Sequence, residues 1–458
     1  MKSQASSAGA AALAAQGRAV GEFDGGNTMK RFTMFAVALA LAAVLFGCGG
    51  GDDAGTDGAT VVSFWHAMGG PLGDRLEELV LEFNETHADI RVESVSMGRY
   101  QALSQKIMAA VAAGEPPVLA QAYEAWTGEL IENGSAEPLN DYIEGPNGLS
   151  QEELADFVPG MVENNTWDGT VYSFPFNKSV RALYWNRDLF GEEGLDRAPR
   201  NWDEYMDYAR RLTKDQDGDG EPDQWGTAGQ ISAWMFENLL IQNGGRILTP
   251  DGTRAAFNGP QGVEALRFMV KLLTDYGKVT SGYEYQNDFQ AGKVAMIEGS
   301  TVSLSFMEGK YTFDLALAPL PEKEREGCFV AGTNVVIFSE ATDAEKRAAW
   351  EFIKWFVSPE ITARWAAGTG YAPVRMSAMQ SDAMLRRFEE IDGLREVYGQ
   401  LEFASYEPRS GAWYAGRKYL EETAVESALR EQASPEEALE MAARAVNAEL
   451  ESERRSKY

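Results

Sequence analysis

From residue 60 onward the chain alternates between two hydrophobic periods, and that alternation restricts its fold more than any other feature. Residues 60–64 form a buried-strand run, Leu72, Leu76, Leu79, Val80 and Phe83 recur at helical spacing, and residues 90–95 roughly alternate as a second strand. Together they make a βαβ unit, whose two strands pair in parallel through the helical crossover. Residues 100–113 read as another helix and 117–121 as a third strand ending near Tyr123 and Glu124. The pattern therefore predicts an α/β fold with a mostly parallel sheet. Ligands of such sheets sit beyond the carboxyl ends of the strands. The segments that fall there are 64–68 (FWHAM), 98–100 (GRY) and 123–126 (YEAW), which are rich in groups that stack or hydrogen-bond.

The segment ahead of that pattern reads as an export signal. Met29-Lys30-Arg31 is basic, and residues 35–46 are apolar over a length too short to span a bilayer. The run ends in Leu45-Phe46-Gly47-Cys48, which resembles a bacterial lipoprotein cleavage site, so residues 29–47 are expected to be removed and Cys48 to carry lipid. Phe46 departs from the small or modest aliphatic residue usual there, and an uncleaved anchor is the alternative. Residues 1–28 lack periodicity and are expected to be a mis-assigned start upstream of Met29. Residues 48–58 contain no large apolar side chain and read as a flexible tether. The expected location is outside the cytoplasm, in the periplasm or on the outer face of the cytoplasmic membrane, held by the lipid. With Cys48 modified, Cys328 has no partner and an intrachain disulfide is excluded. A net charge of −29 argues against nucleic acid and anionic lipid surfaces as partners.

A series of motifs runs in order along the rest of the chain: FWHAMGGPLG, MGRY, QAYEAWTGEL, SFPFNKSVRALYWNRDLF, NWDEY, AGKVAMIEGS, VAGTNVVIF and TGYAPV. In that order the chain resembles family 1 extracellular solute-binding proteins of ABC importers, and more narrowly the sn-glycerol-3-phosphate-binding receptors. The resemblance covers nearly all of residues 59–458. It implies a two-lobed periplasmic-binding-protein-like fold of type II, with lobes joined by crossing strands near 172–174, 316–320 and just after Tyr371. The lobes so implied are 59–174 with 320–372, and 175–316 with 373–458. The implied function is capture of glycerol 3-phosphate or a glycerophosphodiester by lobe closure and delivery to the permease subunits. The chain would act as a monomer, without catalysis and with no cofactor required. An oligosaccharide is the alternative ligand, because several of these motifs also occur in sugar receptors.

By the same resemblance, Arg409 would pair with a phosphate, with Ser179, Ser300 and the Gly332 backbone adding hydrogen bonds. Glu124 would accept from ligand hydroxyls, Tyr100 and Tyr371 would donate to the ligand, and Trp202 or Trp234 would cover its carbon face. The chemistry suits a phosphate, which asks for a guanidinium fork and hydroxyl or backbone donors. Plainer readings stand beside these. Asn201-Trp-Asp-Glu is a helix start, so packing explains Trp202 equally well, and Trp234 is open in the same way. Gly332 suits a turn, Thr301 is a substitute for Ser300, and the two tyrosines suit half-buried core rims. Lys178, which departs from the small polar residue of the relatives, is expected to point outward as a solvated charge. Trp413 is expected near the pocket entrance.

A second constellation is independent of the ligand. Asp215, Asp217, Asp219 and Asp223 stand at positions 1, 3, 5 and 9 of a loop with Gly220 at position 6, and Glu221 at position 7 offers its carbonyl. That is the spacing of a calcium loop, so a structural Ca2+ is expected, or failing that an acidic turn; position 12 is Gly226 instead of glutamate. Enzyme signatures are missing. The chain has two histidines, no nucleophile elbow and no phosphate-binding P-loop. His66 is expected to orient a loop.

Overall fold

The computed structural model describes residues 58–280 and 282–456. The expected leader, Cys48 and most of the tether lie outside the described residues. Among the described residues no helix is long and apolar enough to cross a membrane.

Among the described residues, thirteen strands form two large sheets and a small hairpin. In chain order they are β1 (Thr60–His66), β2 (Ile90–Ser96), β3 (Leu119–Ala122), β4 (Thr166–Trp167), β5 (Thr170–Val171), β6 (Phe174–Ser179), β7 (Arg181–Asn186), β8 (Trp225–Gln230), β9 (Gly277–Thr280), β10 (Val294–Ser300), β11 (Leu315–Ala318), β12 (Phe329–Ile337) and β13 (Ser405–Tyr406). The first sheet runs β13-β12-β3-β1-β2, with β6 also paired to β12. Its β1 is parallel to β2 and β3, so the βαβ reading holds. The helix between them, Pro71–Thr86, buries Leu72, Leu76, Leu79, Val80 and Phe83. The second sheet runs β11-β7-β10-β8-β9. Helix starts follow local chemistry: Ser150 with Glu153 and Thr342 with Glu345 form reciprocal caps, and Asn201 accepts from the Glu204 N–H.

The passages between the sheets differ from the sequence expectation. Strand β6 pairs with β12, and β7 pairs with β10 and β11, so the first passage is at Val180, later than 172–174. Nothing in Ser179-Val180-Arg181 breaks an extended chain, so one continuous run serves both sheets and leaves no turn signal. The second passage spans 319–328, between β11 and β12. After Tyr371 the chain does not yet leave the first lobe: Ala372 bridges Lys178 and Arg375 bridges Phe157. It reaches the second sheet at Asp392, whose carbonyl accepts from the Leu317 N–H. It then returns to the first sheet as β13 before its last helices. The division of residues 175–316 and 373–458 into one lobe is corrected accordingly.

The passages are tied to one another. Ala372 N–H donates to the Lys178 carbonyl at 2.7 Å. The buried Gln400 donates to the Arg181 carbonyl and accepts from the Leu320 N–H. The apolar core follows the same plan: one cluster packs the first sheet against Trp350, Phe352 and Phe356 and continues across Val180 into Tyr184 and Ile297. A second cluster fills the other lobe. The C-terminal helix, Pro435–Ser456, buries Leu439, Val446 and Leu450 there.

Candidate functional site

Strand β6 supplies the centre of the polar surface between the sheets, and every residue in it is buried. Asn177 points into a network: its Oδ1 accepts from Gln121 Nε2 at 3.0 Å and from the Thr333 hydroxyl, and its Nδ2 donates to Tyr100 Oη at 3.0 Å. Gln121 Oε1 in turn accepts from the Ala67 N–H at 2.6 Å. Tyr371 lies beside this cluster, stacked on Trp365, with its hydroxyl donating to Met68 Sδ at 3.9 Å. Burial pushes both phenols above their ordinary value, so both remain protonated donors at neutral pH.

Lys178 does not point outward, because every residue of β6 is buried and its amine turns to a carboxylate of another element. Its Nζ sits 2.8 Å from Glu124 Oε1, with side chains 2% and 15% exposed. The same oxygen accepts from Asn164 Nδ2 at 2.9 Å and Asn334 Nδ2 at 3.1 Å. Burial alone would raise the Glu124 carboxyl, but the Lys178 charge, its hydrogen bond and Asn334 outweigh it and hold the group below the usual carboxylate range. Glu124 is therefore ionised and internally neutralised.

Gly332 is required by close approach. It has φ +109°, and a Cβ there would lie 1.8 Å from the Asn177 carbonyl oxygen. Ser179 stands opposite Ala331, one residue from Gly332, so it belongs to the first sheet, while Tyr100 and Glu124 open helices of the same lobe. Across Val180, Ser300 pairs with Arg181, and the Arg181 guanidinium lies 5.2 Å from the Trp234 ring centre. Trp234 Nε1 reaches the Phe329 carbonyl at 3.3 Å.

Three expectations fall elsewhere. Trp202 is 3% exposed, stacks on Phe268 at 4.4 Å and donates to Gln242, so it is second-lobe core, not a ligand platform. Trp413 is likewise buried at 1% and hydrogen-bonded to Glu407, not at an entrance. Arg409 is engaged at the rim: it lies over Trp167 and donates to the carbonyls of Glu163 and Thr166. His66 is buried, its Nδ1 accepts from the Met68 N–H at 3.2 Å, and burial lowers its pKa to about 4. It is neutral and shapes the loop after β1.

In the acidic loop, the carboxylates of Asp215, Asp217 and Asp223 approach within 4.8 Å of one another. Asp219 is turned to the Glu221 N–H. Three converging oxygens suit a hard cation, and the Asp219 carboxylate does not join them. A surface cleft of ≈ 610 Å³, lined by Thr60, Asp89, Arg347 and Trp350 among others, opens at the amino ends of β1 and β2 and contains none of the expected site residues.

Sequence reasoning missed Gln121, Asn164, Arg181, Thr333 and Asn334. PFN flagged the segment holding Asn177, but the partners lie 56 and 156 residues away in sequence. No local pattern joins them.

The chain is 27% identical over 373 residues to the sn-glycerol-3-phosphate-binding periplasmic protein UgpB of Pectobacterium atrosepticum, covering 77% of this chain and 81% of that protein. The corresponding protein of Escherichia coli strain K12 is 26% identical over 366 residues, with 76% and 81% covered. Among solved structures, UgpB from Mycobacterium tuberculosis in complex with glycerophosphocholine matches with TM-score 0.74 and 21% identity over 86% of this chain and all of that one. The cyclic alpha-maltosyl-1,6-maltose binding protein from Arthrobacter globiformis matches with TM-score 0.73 and 25% identity at the same coverage. The type II binding-protein fold follows from these likenesses. The family model for bacterial extracellular solute-binding proteins matches residues 78–386, more than half of the chain, and the chain belongs to that family of non-enzymatic receptors.

Proposed function

We propose that this receptor captures a glycerophosphoryl compound, glycerol 3-phosphate or one of its diesters, for an ABC importer. The observation that carries the reading is the juxtaposition across Val180 of a hydroxyl-binding surface and a cationic one. Tyr100, Tyr371 and Glu124 stand on one side, and Ser300, Trp234 and Arg181 on the other. The relatives named for glycerol 3-phosphate support it. Ser179 and the Gly332 backbone lie between the two sets, and Arg409 is near enough to the Glu124 helix to add a rim charge, since its carbonyl lies 3.5 Å from a Cβ built on Gly128. Binding would draw the lobes together, because neither side alone satisfies both a phosphate and a diol.

An oligosaccharide is the second reading. It is favoured by the sugar receptor among the similar structures and by the internal neutralisation of Glu124, which suits an uncharged polyol. Calorimetry with glycerol 3-phosphate, glycerophosphodiesters and di- to tetrasaccharides separates the two. Binding of sugars alone would refute the first. Lipid anchoring at Cys48 and a structural Ca2+ held by Asp215, Asp217 and Asp223 belong to the same proposal. A Cys48→Ala protein that stayed in carbonate-washed membranes would refute the anchor.

A further inference from the structure

Arg181 is the first residue beyond the passage at Val180, and nothing in the motif series singled it out. Its side chain is 7% exposed, facing Glu298 at 4%. Nη2 donates to the Glu298 carbonyl at 3.1 Å, while Nε stands 3.4 Å from Glu298 Oε2 and makes no hydrogen bond. A buried guanidinium with an orphaned N–H is costly, and one poorly aligned carboxylate does not satisfy five donors. Glu298 is not a comfortable partner either, since burial raises its carboxyl against the pull of Arg181. The pair is thus half-satisfied, with the Arg181 Nε–H left without an acceptor.

The pair adjoins the ligand surface. Arg181 and Ser300 are directly opposed in the antiparallel β7–β10 pair, which puts both side chains on one face of the sheet. The Trp234 ring lies over the guanidinium. Arg409, the guanidinium expected from the motifs, is occupied by two backbone carbonyls and Trp167. We propose that Arg181 is the principal guanidinium for the oxyanion of the ligand, with Ser300 as a hydroxyl donor beside it and Trp234 excluding water. Glu298 holds the fork in place and moderates its charge, so that an incoming phosphate completes the donors Glu298 leaves open. The inference rests on the glycerophosphoryl reading above.

Isothermal titration of the protein with glycerol 3-phosphate tests it. Arg181→Gln should weaken binding by about 10- to 100-fold, the worth of a charge-assisted hydrogen bond, whereas Arg181→Lys should recover part of the loss. Glu298→Gln should tighten binding, because it frees the fork; a purely structural ion pair gives the opposite sign. If Arg181→Gln fails to fold, the Arg181→Gln/Glu298→Gln protein removes the cation without stranding a carboxylate and should show the same loss. Folded variants without Arg181 that bind within twofold of the unaltered protein would overturn the proposal. So would a Glu298→Gln protein weakened as much as Arg181→Gln. If the unaltered protein binds none of the phosphate compounds, the glycerophosphoryl reading itself fails and this assignment falls with it, a result distinct from binding that ignores Arg181.

Discussion

Replacing Lys178 by methionine tests the electrostatics of β6 most directly. Methionine keeps the apolar stem and removes the charge, leaving Glu124 buried among Asn164 and Asn334. Breaking one partner out of a buried pair costs about 3–5 kcal/mol. The penalty has a ceiling, because Glu124 can enter the folded state protonated. From an unfolded pKa near 4.3, that protonation costs about 4.4 kcal/mol at pH 7.5 and about 1 kcal/mol at pH 5. The loss should therefore be about 3–4 kcal/mol at pH 7.5 and shrink by about 2 kcal/mol or more at pH 5. The sign distinguishes the two proteins. With Lys178 present, the folded Glu124 pKa is depressed, so its contribution persists above the unfolded pKa and is lost only on further acidification. Without it, burial raises the folded pKa, and stability falls as pH rises from 5 to 7.5. His66, lowered to about 4 in both proteins, destabilises both equally on acidification and cancels in the difference. Urea unfolding of both proteins at the two pH values is the assay. A penalty below about 0.5 kcal/mol at pH 7.5, or one independent of pH, would refute the argument.

Gly332→Ala should cost at least about 2 kcal/mol in urea unfolding, since the new methyl meets the Asn177 carbonyl at a positive φ. Trp202→Phe should cost about 1–3 kcal/mol by stranding Gln242 and leaving space beside Phe268, yet leave ligand affinity unchanged in calorimetry. Cys328, whose thiol burial pushes up to about 12, should resist iodoacetamide in the native protein and be alkylated in urea, as read by peptide mass spectrometry. Calcium at about 100 times its Kd should stabilise the fold by about 2.7 kcal/mol, and Asp215→Asn should abolish the shift in melting temperature.

The residues that could be placed from sequence are those whose partners are local or whose pattern repeats. Periodicity alone located the first βαβ unit, and Asn201 announced the helix that carries Trp202. The fate of Trp202 could not be read, because the ring that covers it belongs to Phe268 on another helix. Lys178 was misjudged for a related reason. A cation in a strand is solvated by default, and only the fold brings Glu124, from a different element, to its amine. The passage at Val180 was misplaced because Ser179-Val180-Arg181 carries no turn residue to mark it. The site is thus legible as a set of segments, while the pairs that set its charge are tertiary.

The return of the chain to the first sheet at β13 has a mechanical consequence. The helix that follows, Gly411–Tyr419, is pinned to the second lobe by Arg417, whose Nε and Nη2 grip both oxygens of the buried Glu237 at 2.9 and 3.0 Å. From the same helix, Tyr414 packs on Tyr123 and Trp126, with ring centres 6.0 and 6.1 Å apart. Any motion that parts the sheets about Val180 has to peel those rings from one another and wet them. Opening then carries an increase in heat capacity whether or not ligand is bound, and the balance between parted and joined lobes shifts with temperature along a curve set by three aromatic side chains.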